Sequence, residues 1–266
     1  MKSNLHFIIL ILFIIIFYLL EKQNNNKLQT FTNTYPPKIC WIFWFGDEMN
    51  DKRKKNLELI KQNIGLKVIF VTEKNIQQYL KWKVHPAVKY LSGIHKADYF
   101  RIYFLLHYGG AYTDIKLIND NWSNYYKHFE DPNIWVLGMP AYYDEIASPP
   151  MNNFKGGSMG PLREYHKKLI LPGFYIARKN NEYLKKIHNK QNSILQKHYK
   201  TLKKYPAPNP RCCTNYSSEE VLNEPSKYPL RWAELLGEIV HKYGVVYHKH
   251  VKKSIERIST DSSQYL

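Results

Sequence analysis

Cysteine is scarce in this chain of 266 residues: there are three, Cys40, Cys212 and Cys213. None is placed with metal-ligand spacing, and sequence neighbours such as Cys212 and Cys213 make no ordinary unstrained bridge. A disulfide framework and a zinc module are therefore both excluded as expectations. Cys40 falls inside the apolar run from Ile39 to Phe45 and reads as a core residue. Acidic side chains are also short, with 22 Asp plus Glu against 39 Lys plus Arg, so the formal net charge is +17. Such a field favours anionic partners: a nucleotide diphosphate, lipid headgroups or nucleic acid. No nucleic acid is expected, because no base-reading motif accompanies the charge. Much of the excess falls between Lys179 and Lys204, where lysines punctuate a helical pattern, and a solvated helix face accounts for it. There is no internal repeat.

Long apolar runs are equally rare. The only one is Leu5 to Leu20, interrupted by His6 alone. As a helix it spans roughly 24 Å, slightly less than a typical hydrocarbon core. The residues after it, Glu21 to Lys27, contain no small-x-small cleavage site, so an uncleaved signal anchor is expected. The expected organisation is a short tail at 1–4, a transmembrane anchor at 5–20, an Asn-rich polar stem at 21–35, one domain at 36–250 and a tail at 251–266. Two Asn-x-Ser sites, at Asn121 and Asn215, are consistent with a lumenal domain.

What is abundant is aromatic and apolar surface, at 15% and 44% of the residues, which excludes a disordered or collagen-like chain. From residue 36 strand and helix patterns alternate. Strands are expected at Ile39–Phe45, Leu66–Val71, 111–118, Ile134–Met139 and Leu171–Ala177. Helices are expected at Asp51–Asn63, 95–108, roughly Asn181–Lys204 and 229–241, the last with Pro229 in its first turn. The pattern predicts a mixed α/β sheet covered by helices. Ser148 to Pro161 is rich in loop formers and reads either as an acceptor-side loop or as an ordinary surface connection.

The most informative stretch runs from His95 to Lys116. Ala97, Arg101, Phe104, Leu105 and Tyr108 recur at helical spacing, and Asp98 sits one turn before Arg101. Gly109-Gly110 ends this helix. Beyond it, strand alternation puts Tyr112, Asp114, Lys116 and Ile118 on one face, so that Asp114 and Lys116 are expected roughly 6–7 Å apart.

Asp98-x-x-Arg101 followed by Tyr108-Gly109-Gly110-Ala-Tyr112-Thr-Asp114 resembles the signature of glycosyltransferase family 32 and its capsular-polysaccharide relatives. Two flanking segments support the resemblance: Pro36 to Gly46, similar to the opening strand of these enzymes, and Tyr228 to Glu238, similar to a C-terminal helix in part of the group. The resemblance implies a GT-A (Rossmann-like) fold and transfer of a hexose from a nucleotide-sugar donor to a glycan, glycoprotein or glycolipid hydroxyl. It implies donor binding by Trp44, Asp98, Arg101, Gly109, Gly110, Tyr112 and Asp114, and a type II Golgi protein with a lumenal catalytic domain. In these families an Asp-x-Asp motif holds a divalent metal on the diphosphate, but the second aspartate is Lys116 here. Two arrangements follow: Mn2+ or Mg2+ bound through Asp114, or a Lys116 ammonium in place of the metal charge. Glu234 and Glu238, one turn apart, are candidates for the base or an acceptor contact. The rival readings are an inactive sugar- or nucleotide-binding protein on the same fold, and a basic membrane-surface or nucleic-acid-binding protein.

Overall fold

The computed structural model describes residues 15–16, 19, 34–146, 162–212 and 227–258. The anchor and stem lie almost wholly outside the described residues. So do the 148–161 connection, Asn215 and Cys213. Among the described residues no helix is long and apolar enough to cross a membrane.

Among the described residues, six strands form one mixed sheet: β1 (Ile39–Trp44), β2 (Lys67–Thr72), β3 (Gly110–Thr113), β4 (Val136–Pro140), β5 (Ile170–Ala177) and β6 (Val251–Lys253). Their order is β2-β1-β3-β5-β4-β6. β1 pairs in parallel with both β2 and β3, β5 is antiparallel to β3 and β4, and β4 is parallel to β6. The uninterrupted apolar run of β1 suits a central strand with both faces covered. Trp41, Phe43, Tyr112 and Tyr175 enter one core cluster, and Cys40, Ile42, Ala111 and Phe174 enter the other.

Among the described residues, four α-helices cover the sheet: α1 (Asp51–Asn63), α2 (Gly93–His107), α3 (Glu182–Lys204) and α4 (Gly237–Val246). The Asn50 side chain caps α1 by accepting from Arg53 N, and Ser92 caps α2 by accepting from His95 N. α2 was expected to bury one stripe. Instead ten of its residues are buried, because it lies between β1, α3 and the segment after residue 227. Phe100 and Phe104 pack on Phe45 and Phe43, while Tyr99 and Tyr103 pack on His188 of α3. At its amino end the buried His95 imidazole meets Tyr228 Oη at 2.9 Å and the Arg231 carbonyl at 3.1 Å. Burial lowers the pKa of His95 to about 4 and so keeps the ring neutral.

Gly109 and Gly110 have φ of +73° and +94°. A Cβ on Gly110 would lie 2.8 Å from the Ile39 carbonyl oxygen, so the helix can end against β1 only with glycine there. Trp41 Nε1 donates to the Gly109 carbonyl at 2.9 Å and fixes the same junction.

Several expectations shift. The C-terminal helix begins at Gly237, not 229, because residues 232–236 form turns. The stretch read as a tail from 251 supplies β6, which pairs with β4. Cys212 is disulfide-bonded, against the expectation of no bridge. Cys40 is free and buried.

Candidate functional site

The chain leaves β1 toward β2 on one side and returns as β3 on the other, so their carboxyl ends part beside β1. Such a switch point is where open α/β sheets form a ligand crevice. β1, β2, β3 and β4 all run the same way, and their carboxyl ends share this rim. On it lie Trp44, closing β1, and Asp114, one residue past β3.

Asp114 is held by three partners. Its backbone N–H donates to the Gly173 carbonyl at 3.0 Å, which carries the β3–β5 pairing one step further. Its Oδ1 accepts from Tyr112 Oη at 2.7 Å and lies 3.5 Å from Arg101 Nη2. A Cβ on Gly173 would sit 2.8 Å from Asp114 Oδ2, so the carboxylate needs a glycine on the neighbouring strand.

Arg101 organises this group from the middle of α2. It pairs with Asp98 at 3.0 Å, donates to the Pro172 carbonyl at 2.6 Å and stacks 4.4 Å from the Tyr112 ring centroid. Its Nε is buried without a hydrogen-bond partner among the described residues. Burial opposes the guanidinium charge, but Tyr112, Asp114 and Asp98 together hold its pKa above the usual value. Burial pushes the Asp98 carboxyl up to about 6, against the pull of Arg101. The structure thus brings together Asp98, Arg101, Tyr112 and Asp114, with Gly109-Gly110 at the other end of β3.

Lys116 is not on the face of Asp114. β3 stops at Thr113, and a tight turn closed by Lys116 N on the Asp114 carbonyl at 2.8 Å resets the alternation. The ammonium ends 5.8 Å from the ring centroid of Phe174, a member of the opposite core cluster. Burial lowers its pKa; Asp114 and Glu145 act to raise it, and Arg53 and Arg257 to lower it. Arg53, in the first turn of α1, donates to the Ile115 carbonyl at 3.3 Å and lies 5.5 Å from the Trp44 ring centroid. Arg257 grips Glu145 through two bonds of 2.8 and 2.9 Å, and donates to the Pro140 carbonyl at the end of β4.

Trp44 therefore has the Arg53 guanidinium over its ring, and its Nε1 donates to the Asp47 carbonyl at 2.6 Å. Glu234 and Glu238 are not part of the Asp114 group. Arg231 binds Glu238 through bonds of 3.0 and 2.9 Å and lies 3.7 Å from Glu234, whose other partner is His198. Burial raises the pKa of Glu238, while His198 and Arg231 outweigh burial and lower that of Glu234. A crevice of about 330 Å³ opens nearby, lined by Phe45, Gly46, Glu73, Gly93 and Pro208 to Pro210, but the Asp114 group does not line it.

Arg53, Arg257, Glu145 and Gly173 were not singled out in the sequence. Only Gly173 left a signal, as a Pro-Gly pair inside an apolar strand pattern.

Among the described residues, the side chains around Asp114 offer few oxygen ligands to a divalent metal. Such an ion takes several oxygen ligands, whereas Asp114 Oδ1 is already shared by a tyrosine and an arginine. No group of three His, Cys, Asp or Glu side chains suited to a metal gathers among the described residues.

No curated protein matches the chain. Among solved structures, PaToxG Glycosyltransferase is similar at 16% identity over 85% of this chain and 92% of that one, with a TM-score of 0.37. Residues 22–122, which include Trp44, Arg101 and Asp114, match the family described as the glycosyltransferase sugar-binding region containing a DXD motif.

Proposed function

We propose that the chain is a membrane-anchored glycosyltransferase that moves a hexose from a nucleotide-sugar donor to a hydroxyl of a glycan, glycoprotein or glycolipid. The observation that carries this reading is the Asp114 carboxylate, fixed by Arg101 and Tyr112 at the switch-point rim, inside the segment that matches a sugar-binding region. In the transfer step the acceptor oxygen bonds to the anomeric carbon. The bond from that carbon to the phosphate oxygen breaks, and the nucleoside diphosphate leaves with the electron pair. The hydroxyl proton passes to a base.

Asp114 accepts a hydrogen bond from a ribose or sugar hydroxyl of the donor and so sets its position, while Tyr112 and Arg101 hold the carboxylate in one orientation.

A panel of nucleotide sugars incubated with the purified protein tests this reading. At least one donor should be hydrolysed or transferred. Binding without turnover of any donor would favour the inactive sugar-binding reading, and neither binding nor turnover would sink both.

Membrane attachment rests on the Leu5–Leu20 run and has its own measurement. Full-length protein should stay in the carbonate-resistant pellet, and a form starting near Lys27 should be released. A mature amino terminus near residue 21 would overturn the anchor and the type II lumenal arrangement with it.

A further inference from the structure

We propose that the amino-end face of the sheet, opposite the Asp114 rim, docks on an anionic bilayer surface through Trp82 and the lysines around it. This rests on the membrane half of the reading above and not on sugar transfer. Segments distant in sequence meet at this face. Pro37 and Lys38 lead into β1, and Lys67 N, opening β2, donates to the Lys38 carbonyl at 3.1 Å. A Cβ on Gly109 would lie 3.0 Å from Lys179 N and 3.3 Å from Pro37 Cδ, so the chain before α3 reaches the same junction. Trp82 comes from the connection between β2 and α2. It stacks on His107, the last residue of α2, with ring centroids 4.4 Å apart, and meets Tyr108 at 5.1 Å. Tyr108 in turn packs on Trp41, which binds the Gly109 carbonyl.

The face has the chemistry of a membrane interface. Trp82 is 43% exposed and sits between Lys81 and Lys83. One hydroxyl pins its backbone on both sides: Trp82 N donates to Tyr103 Oη, and Tyr103 Oη donates to the Trp82 carbonyl, each at 2.9 Å. The indole is thus presented by a fixed loop. Tyr35, also exposed, has the Arg178 guanidinium 5.7 Å from its ring centroid. Aromatic rings backed by protein on one side and set among ammonium groups suit the headgroup layer, where apolar body and anionic phosphate lie together. Lys38, Lys67, Lys81, Lys83 and Lys179 are exposed, and none forms an ion pair among the described residues. Carboxylates reach this end too, Asp131 beside Arg178 and Glu182 at the start of α3, but Glu182 already faces Lys185 and Lys186.

The chain also enters the domain here. The apolar run Leu5–Leu20 and the polar residues 21–34 lead directly to Tyr35. Residues 21–34 span at most roughly 50 Å, whereas surface charge is felt over about 8 Å at physiological salt. An anchor alone therefore keeps the domain near the bilayer without seating it. The lysines and the indole seat it, and the tether makes even a weak face sufficient, because the encounter is intramolecular. Seated this way, the Asp114 rim points away from the bilayer, roughly 20 Å above the docked face by the length of β1. The rim then stays open to donor and acceptor. The inference concerns whichever leaflet the domain meets and holds for either orientation of the anchor.

Tryptophan quenching by brominated phosphatidylcholine tests this on the full-length protein reconstituted in vesicles, with or without about 30 mol% phosphatidylserine. The apolar run holds no tryptophan, so quenching reports the domain and not the anchor. Phosphatidylserine should raise quenching about twofold or more. Trp82→Phe should remove most of that increase, and the exposed double variant Lys81→Glu/Lys83→Glu should abolish it. The control Lys203→Glu/Lys204→Glu, at the far end of α3 and roughly 34 Å away by helical rise, should leave it unchanged. The lysine variant keeps the test decisive if Trp82→Phe disturbs the fold. Equal quenching in both vesicles, an increase that survives Trp82→Phe, or equal loss in the control would overturn the inference. Carbonate extraction of the same vesicles separates it from the anchor. Resistance to carbonate without the Trp82 signal would overturn docking and leave the anchor standing. The Trp82 signal in protein that carbonate releases would support the face and sink the anchor. Neither would sink both.

Discussion

Asp114→Asn is expected to lower donor turnover by about a hundredfold or more, the loss typical of removing one fixed electrostatic contact at a reacting centre. The substitution keeps the shape of the side chain and removes its charge. Stability should fall by only about 1–2 kcal/mol, because Arg101 keeps Asp98 as its partner at 3.0 Å and keeps its bond to the Pro172 carbonyl. Hydrolysis of the best donor and the urea midpoint are measured on the same preparation. Turnover equal to wild type would remove Asp114 from the mechanism, and a large loss of stability would make any activity loss uninformative.

Arg101→Met should have the largest effect on stability, on the order of 3–5 kcal/mol, as when one member of a buried pair is removed. Asp98 is buried beside it and would be left facing Tyr112, Tyr175 and the Asp114 charge without its cation. With total stabilities of about 5–15 kcal/mol for ordinary domains, such a loss brings the chain close to unfolding at ambient temperature. Asp98→Asn in the same molecule should recover a substantial part, since it removes the buried charge that the first change exposed. Urea midpoints of the two single variants and the double variant decide this. A double variant no more stable than Arg101→Met would show that lost packing over Tyr112, and not stranded charge, carries the cost.

The local parts of this molecule were legible because their signals are local. Asp51–Asn63 and the long helix ending at Lys204 were bounded to within a residue, since their patterns and end residues lie within one segment. The pairing of Asp98 with Arg101 followed from helical spacing alone. Strand alternation failed at Lys116 because it holds only while the strand lasts. β3 is four residues long, and the turn at 114–116 sends the lysine to the other core. The segment after Pro229 was misread because its first turns are held by Arg231 and Glu234 and not by a continuous helix. β6 is a three-residue strand with two exposed lysines, too short and polar to show any period. Arg53 and Arg257 could not have been placed at the rim from their own neighbourhoods. Their positions depend on the parallel arrangement of β1, β3 and β4, which is set by pairings across the whole chain.

The burial of most of α2 bears on when this region can close during synthesis. The helix carrying Asp98 and Arg101 is emitted early, yet the groups that enclose its amino end, Tyr228 and Arg231, arrive more than a hundred residues later. At ordinary elongation rates that interval lasts on the order of ten seconds. Through it the aromatic surface of α2 stays open on one side, and neutral His95 has no carbonyl to meet. The nascent chain is thus committed to a late closure, in which the last quarter of the sequence locks a helix made before its midpoint.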